Sequence, residues 1–379
     1  MTRYFVLLLP LVVCVCASSN EPSPPQQVAK ITQPETGVPQ DKAKSQESKT
    51  GAAQEKANIT QQETEVPERS ARILENENSV SEEWGVQAIE SLGGWAVRDD
   101  RYPGSPVTHV GFDRTKNITD ATLTALKTFR RLEWLTLDGT DTTDATLKEL
   151  KEFKCLYWLT LAGTKITDAG LKELKEHKGM KRLELGGTGI TDSGLKELKG
   201  FKRLQDLFLR RTKVTDAGLK HLQDLKALRL LDLSGTAITD AALKELKELK
   251  NLEWLYLEET KITDAGLKEL KEFKSLCVLC LGGTGVTDAG LVELKEIKGL
   301  ARLFLQGTMV TDAGLKELKE LKDLRELCLD KTNITDAGLK ELKELKELAR
   351  LDLRGTKLTD SGLKDLRQAL PDTHIEPFP

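Results

Sequence analysis

The chain has 379 residues, of which 31% are charged and only 5% aromatic, with a formal net charge of −3. That balance lacks the basic excess a phosphate backbone requires, so no nucleic-acid partner is expected. No apolar run reaches the roughly 20 residues needed to cross a bilayer, and four histidines leave little material for metal or acid–base chemistry.

Met1-Thr2-Arg3 precedes an apolar run from Tyr4 to Val15 that only Pro10 interrupts, with small residues after it. A cationic start, a short apolar core and a small-residue cleavage site describe a secretory signal peptide over residues 1–17, cut after Ala17. The competing expectation is a lipid anchor at Cys14 or Cys16, although Val13 stands where a lipobox carries Gly, Ala or Ser. Either reading places the protein outside the cytoplasm, secreted or periplasmic, and the anchor would be its one route to a membrane.

Residues 18–83 hold no aromatic side chain and six of the twelve prolines. Such a segment cannot bury enough apolar surface to offset its ordering entropy, and it reads as a disordered linker. Within it Ala29–Gln40 returns, slightly altered, as Ala57–Glu68, which reads as slippage in a spacer rather than a doubled recognition motif. Residues 84–116 read as an N-terminal cap, with Val86, Ile89 and Leu92 at helical spacing and Val110 and Phe112 as a degenerate strand. Trp95 belongs to that cap's core.

From Asn117 to Thr356 the chain is ten consecutive units of 24 residues, and an altered eleventh from Lys357 forms the C-terminal cap, 357–379. The unit Lys261–Thr284, KITDAGLKELKEFKSLCVLCLGGT, numbers the slots. Slots 7, 10 and 13 (Leu267, Leu270, Phe273) carry helical spacing, whereas slots 19 and 21 (Leu279, Leu281) alternate as a strand does. Thr-Asp at slots 3 and 4 recurs in all eleven units and suits a helix N-cap; one carboxylate per unit is too few for calcium. Slot 6, usually Gly as in Gly170 and Gly266, is expected to let the helix lie close to the sheet. Lys271 and Glu269 project to opposite helix flanks, so neighbouring units should pair Lys with Glu.

The pattern L-x-x-L-x-L-x-x-T-x-I-T-D-A-G-L resembles the leucine-rich repeat in its helix-containing, ribonuclease-inhibitor-like form, with Thr where that family usually has Asn. It is most similar to the 24-residue variety of many exported bacterial proteins. The resemblance implies an α/β solenoid: a horseshoe with a concave parallel β-sheet and convex α-helices, acting as a binding module.

Chemistry-bearing motifs find little support. Cys277-Val-Leu-Cys280 approaches a strand rather than opening a helix, and it has no second pair to complete a zinc site. Cys280 and Cys328 share slot 20 two units apart, which exceeds disulfide reach; no role is assigned to these two or to Cys155 and Cys277. His177 occupies slot 13, where other units carry Phe, Leu or Ile, and reads as a tolerated, partly buried helix-end residue. Gly186-Gly187 and Gly282-Gly283 read as turns leaving the strand. No catalytic set can be assembled, so neither an enzyme nor a cofactor is expected.

Slots 18, 20 and 22 flank the strand leucines and point out of the core. They gather Trp134, Trp158, Phe208, Trp254, Tyr256 and Phe304, the residues expected to bind a partner. The lead expectation is a protein on the concave face; the alternatives are a glycan or cell-wall polymer, or a substrate-receptor role in a ubiquitin ligase, for which no F-box-like segment is seen. Adjacent Trp134 and Trp158 are also placed to pack on each other for sheet stability.

Overall fold

The computed structural model describes residues 81–112 and 118–376. The signal-peptide run, Cys14 and Cys16, the linker up to residue 80 with its duplication, and the last three residues lie outside the described residues.

Thirteen strands form one sheet in strict chain order, from β1 (Gly94–Arg98) and β2 (Val107–Phe112) to β13 (His374–Glu376). Only β1, unforeseen from the sequence, runs antiparallel to its neighbour; every later pair is parallel. Register follows the repeat: in β3 (Trp134–Thr136) and β4 (Trp158–Thr160), Trp134 pairs with Trp158, Leu135 with Leu159 and Thr136 with Thr160. The degenerate first strand is as expected, Val110 pairing with Leu135. Ahead of it, helix α1 (81–91) is pinned to the hairpin by Glu82, whose carboxylate accepts from the Val107 N–H at 3.0 Å and from Arg98 at 3.2 Å. Trp95 lies across Gly111, its partner on β2, half-buried.

Each strand from β3 to β12 is three residues long because the chain turns at slot 23 into the left-handed region, at Gly139, Gly163, Gly187, Gly235, Gly283, Gly307 and Gly355 with φ of 63–68°. Arg211, Glu259 and Lys331 take the same conformation at φ 53–56° without glycine's freedom. Gly186 and Gly282, read as turn residues, are not left-handed. They lie beneath long neighbours instead: a methyl added at Gly186 would sit 2.6 Å from Arg210 Cγ, and one at Gly282 2.4 Å from Gln306 Cδ.

The crossovers begin as the sequence implies, with slot 3 Thr as N-cap in extended conformation and slot 4 Asp opening the helix. They are short. α8 (Asp264–Leu267) is followed at once by a 3-10 stretch, Lys268–Glu272, and several other units share this arrangement. Slots 7, 10, 13, 16, 19 and 21 are buried in the ten full units, apart from Leu123, slot 7 of the first unit, which is partly buried. The core also takes slot 2, which neither periodicity marks: Ile166, Ile190, Val214, Ile238, Ile262, Val286, Val310 and Ile334 are all fully buried.

Slot 4 Asp does more than open its own helix. Asp240 Oδ1 accepts from the backbone N–H of Thr263 at 2.7 Å, and Oδ2 accepts from the Thr263 hydroxyl at 2.7 Å, one unit further on. The same double bond recurs from Asp144–Thr167 to Asp336–Thr359 without a break. This corrects the reading of slot 6. A methyl on Gly266 would lie 2.4 Å from Asp240 Oδ1, so the small residue makes room for the preceding unit's carboxylate rather than for the sheet. Where slot 6 is Thr146, its hydroxyl takes the Thr143 N–H in the aspartate's place. Ala242 is tolerated with the bridge from Asp216 intact, at 2.8 and 2.6 Å.

On the helix side, lysines do pair with acids of the next unit. Lys127–Glu149 joins slots 11 and 9 at 2.9 Å, and Lys226–Glu248 and Lys250–Glu272 join slots 14 and 12 at 3.3 Å.

Candidate interaction face on the sheet

Slots 18 and 20 alternate with the buried slot 19 leucine, and this puts their side chains on the sheet face opposite the helices. The indole rings of Trp134 and Trp158 stack at 4.0 Å with an interplanar angle of 19°, and His109 meets Trp134 edge-on at 5.2 Å. Beyond Trp158, on β5 (Arg182–Glu184), the Arg182 guanidinium lies 4.4 Å from the Trp158 ring and 4.4 Å from that of Phe208, on β6 (Asp206–Phe208). Its charge is met by Asp206 at 3.5 Å. The result is a ladder across five strands, His109–Trp134–Trp158–Arg182–Phe208. Lateral packing is thus real, as the neighbouring tryptophans allowed.

Of the six residues expected on this face, Trp134, Trp158, Trp254, Tyr256 and Phe304 are half-buried. Phe208 is only 5% exposed, so it backs Arg182 rather than presenting a surface. Trp254 and Tyr256 share β8 (Trp254–Tyr256), four strands beyond the Trp158 strand, and Phe304 lies on β10 (Arg302–Phe304). The structure therefore joins Trp134, Trp158 and Phe208 through Arg182 and keeps the other three apart from that ladder.

Arg182 itself, Thr160 and Glu184 were passed over, although slots 18 and 20 already placed them there. Glu184 is half-buried; burial first, then the nearby Asp138 carboxylate, pushes its carboxyl up to about 7, with Arg182 opposing. At the other end of the face Cys328 donates to Asp330 at 3.1 Å and to Asp352 at 3.6 Å, and burial together with these carboxylates raises its thiol. Asp352 is in turn held by Arg354 in a short ion pair. No disulfide joins the four described cysteines.

Models of the leucine-rich repeat family match residues 202–262 and 180–199. The chain is a leucine-rich repeat protein. Among solved structures, this leucine-rich repeat protein is similar to an internalin, InlF, of Listeria monocytogenes, at 19% identity over 74% of this chain and 92% of that one, with a TM-score of 0.48. It is also similar to internalin C2 of the same organism, at 26% identity over 57% and 84% with a TM-score of 0.41. A third likeness is to the plant peptide hormone receptor RGFR1 in complex with RGF2, at 15% identity over 70% and 49% with a TM-score of 0.42. No curated protein matches the chain.

Proposed function

We propose that this leucine-rich repeat protein is an exported, non-enzymatic module, ribonuclease-inhibitor-like in its helical crossovers, that binds a protein partner on its sheet face. One observation carries the reading. Trp134, Trp158, Trp254, Tyr256 and Phe304 remain half-exposed on that face while the leucines beneath are sealed. Tryptophan, tyrosine and arginine are the side chains that anchor interfaces. Support for export comes from the apolar run after Arg3, and support for a linker over residues 18–80 from its lack of aromatics; the expected end at residue 83 moves back because 81–83 open helix α1, where Glu82 holds the hairpin. Sugar recognition uses the flat face of a ring, and both faces of Trp158 are taken, by Trp134 and by Arg182. Ring edges and arginine suit a protein surface better.

The test is affinity capture from the native organism with three versions of the chain. Trp254→Ala/Tyr256→Ala should lose the captured protein, at roughly 2 kcal/mol per anchor or about thirtyfold in affinity. Lys268→Ala on the helix side should retain it. The opposite pattern would move the functional surface to the helices. Trp134→Ala/Trp158→Ala should also lose the partner, but it removes a stacked pair worth about 1 kcal/mol beyond its area. A modest fall in melting temperature is therefore expected there, and the Trp254 variant reads binding more cleanly.

A further inference from the structure

The sheet face is not electrically uniform. Across β3, β4, β5, β6 and β7 (Leu230–Asp232), slots 18, 20 and 22 carry Asp138, Arg182, Glu184, Asp206, Arg210 and Asp232. Arg182 and Asp206 offset each other at 3.5 Å. Asp138 accepts from the Ala162 N–H at 2.7 Å, and Asp232 from the Ser234 N–H at 2.9 Å. The Glu184 carboxylate has no hydrogen bond and no ion pair among the described residues, and only Arg182 and Arg210 lie near enough to temper its charge.

Around Glu184 the chain leaves polar atoms unsatisfied. Thr160 pairs in register with Glu184, is 5% exposed, and its hydroxyl has no partner. Arg182, on the same strand as Glu184, is 8% exposed with its Nε–H unpartnered, and the Trp158 indole N–H is unpartnered as well. One strand earlier the equivalent pair is satisfied, Trp134 Nε1 donating to the Thr136 hydroxyl at 3.0 Å. Native proteins keep few such orphans, and here three fall on two adjacent strands beside an unpaired carboxylate.

We propose that Glu184, flanked by Asp138 and Asp232, receives a lysine or arginine side chain of the protein partner. The inference rests on the sheet face being the partner surface. A carboxylate already stripped of part of its water, with two others two units away on either side, gains most from an incoming cation, since its desolvation is already partly complete before docking. The unpartnered atoms of Thr160, Trp158 and Arg182 are closed off from solvent in the free chain and mark the surroundings of Glu184 as unsatisfied, without themselves contacting the cation. Because Glu184 titrates near 7, the charge it offers is present above that pH and fades below it.

Hexa-arginine, with hexa-glutamate as the like-charged control, is the probe, titrated into the full chain at low salt by calorimetry. At pH 8 the natural chain should bind hexa-arginine about tenfold more tightly than Glu184→Gln. The natural chain should weaken severalfold between pH 8 and pH 6, and the variant should show no such step. Asp138→Asn should lose less than Glu184→Gln, and Glu272→Gln, on the helix side, nothing. Equal binding by Glu184→Gln and the natural chain, with both folded by circular dichroism, overturns the proposal. The captured partner separates the two readings. If Trp254→Ala/Tyr256→Ala releases it and Glu184→Gln does not, the cation site is wrong and the partner surface stands. If neither releases it, the partner surface itself is wrong.

Discussion

His177 shows what one departure from the repeat costs. It fills slot 13, which Phe129, Phe153, Phe201 and Phe273 fill in other units, and is 3% exposed with neither ring nitrogen hydrogen-bonded. The sequence made its position plain, but it suggested a partly buried ring, because whether a side chain at a helix end is covered depends on the neighbouring unit. Burial first, then the Lys154 charge, lowers its pKa below the usual 6.5. The unfolded chain therefore binds a proton more readily than the folded one. Stability from keeping His177 neutral is complete above about 6.5 and declines as pH falls toward the lowered folded value. His177→Phe should raise stability at pH 7 by about 1 kcal/mol through removal of unpaired polar atoms. The variant's advantage should also widen from pH 7 to pH 5, because only the natural chain loses the His177 contribution as the ring protonates. Glu184, whose shift has the opposite sign, contributes to both curves and cancels. A difference curve independent of pH would mean that His177 reaches solvent or finds a partner.

Between elements, the organising contact is the aspartate of one unit holding the threonine of the next. Asp240→Ala removes the acceptor for both the N–H and the hydroxyl of Thr263. At a half-exposed site this should cost about 1–2 kcal/mol, seen as a lower denaturation midpoint. Asp240→Asn, which keeps one acceptor oxygen, should cost less than half of that. Asp120→Ala is the internal control, because the next unit caps itself through Thr146 and gains no bridge from Asp120; its effect should be within a few tenths of a kcal/mol of a simple helix-terminus charge loss. If Asp240→Ala and Asp120→Ala are equal, the bridge carries no stability.

This element scale also marks the limit of what the sequence conveyed. The invariant Thr-Asp and the near-invariant small slot 6 were both visible, but they were read within one unit, as cap and as helix–sheet clearance. Their joint meaning lies between units, and no periodicity inside a 24-residue window expresses it. The strand and helix slots were legible because each is fixed by its own burial. The site was legible as a row of slots but not as a ladder: Arg182 binds Trp158 to Phe208 only once neighbouring strands are aligned.

At the scale of the whole molecule, every unit seals its leucines only against the units on either side, so damage should spread along the chain rather than stay local. Leu255 is fully buried at slot 19, paired with Leu231 on one side and Leu279 on the other. Leu255→Asp would place a carboxylate with no partner between two leucines, and the lost packing and the desolvation together should cost about 4 kcal/mol or more. Leu351→Asp makes the same chemical change near the end of the array, where only β13 follows. Hydrogen exchange separates the two. The interior variant should lose protection in units on both sides of β8, because the array is divided into two shorter stacks, each with an exposed apolar end. The terminal variant should lose it only from β12 (Arg350–Asp352) onward and in the unit before, leaving the strands from β2 to β9 (Val278–Cys280) protected. Matching exchange patterns for the two variants would show that the sheet unfolds as a single cooperative block and not as coupled neighbours. Normal protection in Leu255→Asp would mean that slot 19 faces away from the helices.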